Sequence, residues 1–133
     1  MSAVFADTSF YLAYVNPRDG AHGATMEFVR QFRGETVTSE YVLVEVGNSL
    51  ARSADRRVFL DLLRDLRADR HASIVPATHA LFEAGANLYA RRADKEWSMT
   101  DCISFAVMRQ EGLTEALTTD RHFEQAGFRV VLH

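Results

Sequence analysis

Between residues 98 and 108 apolar side chains run nearly all round the helical wheel: Cys102, Ile103, Phe105, Ala106, Val107 and Met108 leave only Ser104 as a polar interruption after Asp101. A helix of that kind is buried rather than amphipathic. Ser98 followed three residues on by Asp101 resembles a capping box, with an acid one methylene shorter than the usual Glu, so the helix is expected to begin there. An ionised carboxylate at the mouth of a buried helix is costly unless something compensates it. A cap and a metal ion are the two compensators, and Asp101 is open to both.

The rest of the chain alternates short apolar runs with segments of helical period. Ala3-Val4-Phe5-Ala6 stops abruptly at Asp7-Thr8-Ser9, which reads as a buried parallel strand whose carboxyl end delivers Asp7, at the edge where open α/β sheets bind ligands. Residues 10–15 read as one and a half helical turns ended by the turn cluster Asn16-Pro17-Arg18-Asp19-Gly20. Residues 21–32 follow as an amphipathic helix with Ala24, Phe28 and Phe32 or Val29 on its apolar face and Gly34 as its stop. Residues 35–38 predict a short strand, Ser39 a cap, and residues 40–50 a helix. The valines leave that last segment ambiguous, since residues 41–46 alone would suit a buried strand, but a strand would need a turn before Leu50 and none is signalled. Glu45 then stands among Val42, Val44, Val46 and Leu50, either inside an apolar patch or on the solvent face.

Residues 55–69 predict a clean amphipathic helix, with Val58, Phe59, Leu62, Leu63 and Leu66 on one face and Arg56, Asp61, Arg64, Asp65 and Arg67 on the other, an exposed outer wall. Residues 73–76 predict a strand ended by Pro76, and residues 77–95 a long helix carrying Leu81, Phe82, Ala84, Leu88, Tyr89 and Ala90. Residues 115–119 predict a strand delivering Asp120 as the first delivers Asp7. A short helix over 121–125, closed by Gly127, and a last strand over 129–132 complete the chain. This order predicts an α/β protein, a three-layer α/β/α sandwich with a mainly parallel sheet.

Composition narrows the picture. At 133 residues the chain suits a single domain, residues 1–133. With 47% hydrophobic and 25% charged residues it is ordinary for a globular protein. It has no apolar run of the roughly 18 residues a membrane span needs and no charged leader before its first apolar run, so the cytoplasm is the expected location. The lone Cys102 excludes an internal disulfide and a thiolate metal cluster, in keeping with a reducing compartment. As a nucleophile it would gain from a helix N-terminus and lose from the adjacent Asp101, and a small buried cysteine is the commoner role. The net charge of −3 does not advertise nucleic-acid binding. Arg52, Arg56 and Arg57, and Arg91, Arg92 and Lys95, form local basic clusters that read either as solvated helix faces or as a phosphate-binding rim.

The candidate chemistry lies in acids at one edge. Asp7 and Asp120 follow strands, a helix beginning at Ser98 would bring Asp101 alongside, and Glu45 joins them if it faces inward. Singly, Asp7 and Asp120 read as helix caps, Asp101 as half a capping box and Glu45 as a solvated charge. Together they repel unless some take up protons or a cation enters. All-oxygen donors, with no thiolate cluster and no spaced histidine pair, point to Mg²⁺ or Mn²⁺. The chemistry that wants such a site is phosphodiester hydrolysis by a metal-activated water. Thr8, Ser9, Ser104, Thr118 and Thr119 flank the acids and either orient carboxylates and waters or make local backbone hydrogen bonds. His122 is a candidate extra ligand.

Asp7-Thr8-Ser9 after the first strand, Glu45 within Val42-Leu43-Val44-Glu45-Val46, Thr100-Asp101-Cys102-Ile103-Ser104-Phe105-Ala106-Val107-Met108, and Leu117-Thr118-Thr119-Asp120-Arg121-His122-Phe123-Glu124-Gln125-Ala126-Gly127-Phe128 together resemble a PIN-domain protein, and more closely the VapC ribonuclease toxins of bacterial toxin–antitoxin pairs. The resemblance covers essentially the whole chain, and the last two motifs are its specific part. It implies a PIN-like α/β/α fold, Mg²⁺- or Mn²⁺-dependent endoribonuclease activity, and metal ligation by Asp7, Glu45, Asp101 and Asp120, of which the last is the family's most variable. It further implies a homodimer silenced by a VapB-type antitoxin, often through a basic side chain inserted among the acids. The apolar stripe of residues 55–69 is then open to that partner as well as to the core.

Two rivals differ in kind. A phosphoacceptor signalling domain would want an acidic pair after the first strand and a lysine after a late one, whereas Lys95 precedes the buried helix. A PIN fold kept as a catalytically silent binding or regulatory module is the alternative that the intact acids oppose. A water-activating mechanism makes no use of a 2′-hydroxyl, so RNA over DNA rests on the resemblance.

Overall fold

Residues 3–132 are described by a computed structural model; Met1, Ser2 and His133, which the expected domain includes, lie outside them. Five strands, β1 (Ala3–Ala6), β2 (Glu35–Ser39), β3 (Ala72–Val75), β4 (Glu115–Leu117) and β5 (Arg129–Val130), alternate with seven helices. These are α1 (Thr8–Val15), α2 (His22–Gln31), α3 (Glu40–Ser49), α4 (Arg56–Ala68), α5 (His79–Arg91), α6 (Met99–Gln110) and α7 (His122–Gln125). All four strand pairings are parallel, and the sheet order is β3-β2-β1-β4-β5. The chain builds outward from β1 in one direction, then returns to its other side at β4. Connections that leave β1 in opposite directions put helices on both faces of a sheet when the crossovers are right-handed, as parallel crossovers generally are. The reversal point lies between β1 and β4, and crevices beyond the carboxyl ends of such strands are where open α/β sheets bind ligands.

β1 is the central strand, and Val4, Phe5 and Ala6 are almost wholly buried, as the uninterrupted apolar run requires of a strand covered on both faces. Residues 41–46 are helical within α3, whose N-cap Ser39 accepts a hydrogen bond from the Val42 amide at 3.2 Å. In α6 the residues Asp101 to Phe105, Val107 and Met108 are all buried, and its side chains join those of β1, α3, α7 and β5 in one core. Around Phe105 the rings of Trp97 and Phe123 stand edge-on at 5.0 and 4.9 Å, with Phe128 at 5.7 Å.

Several expected boundaries move, each for a local reason. The first helix begins at Thr8 rather than Phe10, directly after Asp7, because the Asp7 carbonyl accepts from the Phe10 and Tyr11 amides. The helix expected to run to Lys95 ends at Arg91. Arg92 turns out to grip the Asp94 carboxylate through Nε and Nη2 at 3.0 and 3.1 Å and lies 5.0 Å over the Trp97 ring. The strand expected over 115–119 ends at Leu117, because the Asp7 amide donates to the Leu117 carbonyl as the last contact with β1. Asp120 therefore reaches the site from a loop and not from a strand end.

On α4 only Leu62 is fully buried. Leu62, Val58 and Leu66 face Phe10, Tyr14, Phe28 and Phe32 across an open groove of about 600 Å³ rimmed by Asp61, Asp65 and Asp69.

α5 and α6 approach so closely that a Cβ on Gly85 would stand 2.3 Å from Cγ1 of Ile103 and 3.1 Å from its backbone nitrogen. Overpacking of this kind costs about 1–3 kcal/mol, against a helix-propensity gain of up to about 1 kcal/mol. Gly85→Ala is accordingly expected to lower the urea midpoint, and adding Ile103→Ala, which removes the Cγ1 it meets, to show a favourable coupling in a double-mutant cycle. An unchanged midpoint would mean that α6 yields freely at this contact.

Candidate metal centre and active site

Asp7, Glu45, Asp101 and Asp120 line one pocket of about 320 Å³ together with Thr8, Ser9, Leu12, Glu96, Ser98 and His122. Each arrives on a different element: Asp7 at the junction of β1 and α1, Glu45 on α3, Asp101 in the first turn of α6 and Asp120 between β4 and α7. The four acids expected to converge do so. Their donors are not equally close: among the described residues, the group whose ligand atoms all lie within 4.8 Å of one another is Asp101, Asp120 and His122.

Asp7 is the most confined acid, 5% exposed. It stands at the N-cap of α1, yet its side chain makes no cap hydrogen bond, so the helix-cap reading fails for it. Its Oδ2 instead accepts from the Thr118 hydroxyl at 2.9 Å. Burial, above all, pushes its pKa up to about 7, and the charges of Asp101 and Glu45 add to the rise while hydrogen bonds from Thr8 and Thr118 oppose it. The Thr118 hydroxyl, wholly buried, also accepts from the Asp120 amide at 2.9 Å and lies 3.1 Å from Ser9 Oγ. Since Thr118 has one proton and spends it on Asp7, Ser9 is the donor in that contact. Ser9 in turn accepts from the Thr119 amide at 3.0 Å. Thr118 thus ties Asp7 to the Asp120 loop through its side chain, a role that a local backbone bond would not supply.

Glu45 is half-buried, and its Oε1 accepts a hydrogen bond from Thr8 Oγ1, so the solvent-face reading gives way to an inward one. Asp101 does complete the capping box: its amide donates to Ser98 Oγ at 3.0 Å and its Oδ2 accepts from the Ser98 amide at 3.1 Å. Cap and pocket acid are therefore one residue. Burial raises its pKa as well, with the Asp120 charge adding to the rise and His122 and Ser98 opposing it. Asp120 Oδ1 accepts from the His122 amide at 2.9 Å, a local turn that orients the carboxylate toward α7.

Two further candidates stand apart from the acids, and for Cys102 the commoner role expected of it is the one found. The Ser104 hydroxyl is wholly buried, without a hydrogen-bond partner among the described residues, and does not line the pocket. Cys102 is fully buried, and burial followed by the Asp101 charge pushes its thiol upward, away from the thiolate a nucleophile needs. Glu96 was not singled out by the sequence; its signal is an acid two residues ahead of the Ser98 cap, at the mouth of the buried helix.

Like-charged carboxylates at one pocket, one of them pushed to about 7, form a donor set that suits a hard divalent cation. An alternative way to relieve the repulsion is protonation, which the raised Asp7 already approaches.

A PIN domain family model matches residues 4–129. The chain is 32% identical over 128 residues to the 23S rRNA-specific endonuclease VapC20 of Mycobacterium tuberculosis, covering 94% of this chain and 95% of that protein. The crystal structure of VapC20, described as a toxin cleaving the sarcin–ricin loop, matches with a TM-score of 0.85 at 30% identity, over 94% of this chain and 95% of that one. A toxin–antitoxin complex from Klebsiella pneumoniae shares the fold, with a TM-score of 0.68 at 15% identity over 96% and 95% of the two chains.

Proposed function

The chain belongs to the PIN domain family, and from that premise we propose that it is a metal-dependent endoribonuclease, the toxin of a toxin–antitoxin pair. The observation that carries this reading is the pocket at the reversal point of the sheet, where Asp7, Glu45, Asp101 and Asp120 gather and burial with like charge drives Asp7 to about 7. These four are the residues to hold Mg²⁺ or Mn²⁺. When bound, such an ion would polarise the scissile phosphate and lower the pKa of the attacking water. Thr8 orients Glu45, Thr118 orients Asp7, Ser98 orients Asp101 and the His122 amide orients Asp120, so each carboxylate has at least one oxygen fixed in advance. No cysteine or serine nucleophile is needed.

RNA would leave the acid pocket along an adjoining cavity of about 720 Å³ that shares Glu96 and Ser98 with it and is lined also by Tyr89, Arg92, Lys95 and Trp97. Arg92 is engaged by Asp94 and Trp97, whereas Arg91 and Lys95 have no ion pair among the described residues. Arg91→Ala with Lys95→Ala is expected to reduce the slope of log K against log salt by about 0.7 for each phosphate of single-stranded RNA that is no longer neutralised. An unchanged slope would remove the basic rim from the reading.

The antitoxin belongs to the same proposal. The groove between α1, α2 and α4 leaves the α4 stripe half covered, and an amphipathic helix of a VapB-type partner suits it. Phe82 and Tyr89, both about half exposed on α5 and two turns apart, suit a second copy of the chain. No helix among the described residues is long and apolar enough to cross a membrane, and the cytoplasm is the proposed location.

The direct test incubates the purified protein with ribosomes and with a defined single-stranded RNA, in Mn²⁺, in Mg²⁺ and in EDTA, and maps the ends produced. Cleavage at discrete positions that needs the metal supports the reading; 23S rRNA, the substrate of the relative, is the first RNA to examine. Intact RNA in every condition, with RNA bound, would assign the chain to the silent PIN modules instead.

A further inference from the structure

His122 sits where two of the acids meet. Its Nδ1 lies 3.0 Å from Oδ2 of Asp101 and 3.3 Å from Oδ1 of Asp120. Carboxylate oxygens are acceptors only, so the Nδ1 facing them carries the proton and acts as a donor. Asp101 Oδ2 then receives two hydrogen bonds, from Nδ1 and from the Ser98 amide, which fill its in-plane lone pairs. Its Oδ1 receives none among the described residues. Asp120 Oδ1 is likewise engaged by the His122 amide at 2.9 Å. The imidazole is about 29% exposed, and Phe123 beside it is wholly buried, so its ring is held at the pocket wall from the backbone of a packed helix.

We propose that His122 is a positioning residue for the metal-holding acids: through Nδ1–H it pins one oxygen of Asp101 and presents the other as the ligand. It is not itself a ligand through that nitrogen. This goes further than the four-carboxylate site and rests on the reading of that site as a metal centre. The same closeness of Nδ1 to Asp101 and Asp120 would also suit direct coordination, in which Nδ1 must lose its proton. The two roles make opposite demands on the atom, and a substitution can separate them. The amide nitrogen of asparagine reaches about as far as Nδ1 and donates a hydrogen bond but has no lone pair for a metal. Its oxygen can ligate one, so recovery counts for the donor role only if His122→Asn also restores the melting temperature that His122→Ala loses in EDTA, which an oxygen turned to the carboxylates would lower.

The test is calorimetric titration of Mn²⁺ into RNA-free wild type, His122→Ala and His122→Asn, with near-ultraviolet circular dichroism as the check that each is folded. Loss of a group that orients a metal ligand typically weakens affinity about 10–100-fold. His122→Ala is expected to show that loss, and His122→Asn to recover most of it. Equal affinities for wild type and His122→Ala would overturn the proposal. So would His122→Asn binding as weakly as His122→Ala, since the imidazole nitrogen itself would then be the ligand. If the wild type takes up no Mn²⁺, the metal reading of the site fails and the proposal falls with it; normal wild-type uptake with either of the other results overturns the proposal alone.

Discussion

Asp7→Asn is expected to lower RNA cleavage about a thousandfold and, without metal, to raise the melting temperature above that of the wild type. The first effect follows from the proposed role of Asp7 as a ligand of the ion, since several kcal/mol of transition-state charge stabilisation corresponds to about that factor. The second follows from burial. In the folded protein Asp7 titrates near 7, against an ordinary value of 3.8, so the folded state holds a proton that the unfolded chain has released throughout that interval. Where the folded state binds more protons, stability falls as pH rises. Metal-free wild type should therefore lose stability from about pH 4 to about pH 7, by roughly 4 kcal/mol at most, with no further change from this group above that.

Asparagine is neutral at every pH and can still accept from Thr118, and no side-chain cap is lost because Asp7 provides none. In EDTA the melting temperatures of wild type and Asp7→Asn should nearly coincide at pH 4 and separate by about 5 °C or more at pH 8. Mn²⁺ should reverse the order at pH 8 by stabilising the wild type more. Identical curves at both pH values, with equal metal shifts, would mean that the acids do not form a repulsive cage.

Phe105→Ala is expected to have the largest effect on stability. Phe105 is wholly buried and its ring contacts Trp97, Phe123 and Phe128, while Phe123 stacks on Phe5 of β1 at 6.3 Å. Truncating a core phenylalanine costs about 3–5 kcal/mol, a large part of the roughly 5–15 kcal/mol that holds a domain of ordinary stability together. Calorimetry should show the melting temperature lowered by about 10 °C or more. The consequence reaches the site, because Trp97 leads into the Ser98 cap that holds Asp101, and Phe123 follows His122. Mn²⁺ affinity at 20 °C should fall in the variant even where most molecules are folded. A loss below about 1 kcal/mol would show that the aromatic cluster collapses around the gap, and that the position of α6 does not depend on it.

The capping box at Ser98 and Asp101 was legible in the sequence because it is local: the two residues are three apart, and their reciprocal bonds form within one helical turn. The buried central strand and the amphipathic α4 were legible for a related reason, since periodicity records how many faces of an element meet water. Boundaries set by long-range bonds were not. β4 stops at Leu117 because of its contact with Asp7, and α5 stops at Arg91 with Arg92 turned toward Asp94 and Trp97.

The four acids, Asp7, Glu45, Asp101 and Asp120, could be proposed from their order after strands and before helices, together with the family resemblance. What their placement does to them required the tertiary structure. Asp7 rises to about 7 because burial strips its carboxylate of water and sets it near Asp101 and Glu45, and Thr118 reaches it across 111 positions of chain. His122 read from sequence as a candidate extra ligand; only the meeting of α6 and α7 sets its Nδ1 3.0 Å from Oδ2 of Asp101. The sequence by itself determined which segments are buried on one face or two, because transfer of apolar surface from water depends on residue type and spacing alone. The charge state and hydrogen bonding of the site were decided by the fold, because electrostatic energies depend on distance and dielectric between residues that the chain brings together only when it closes.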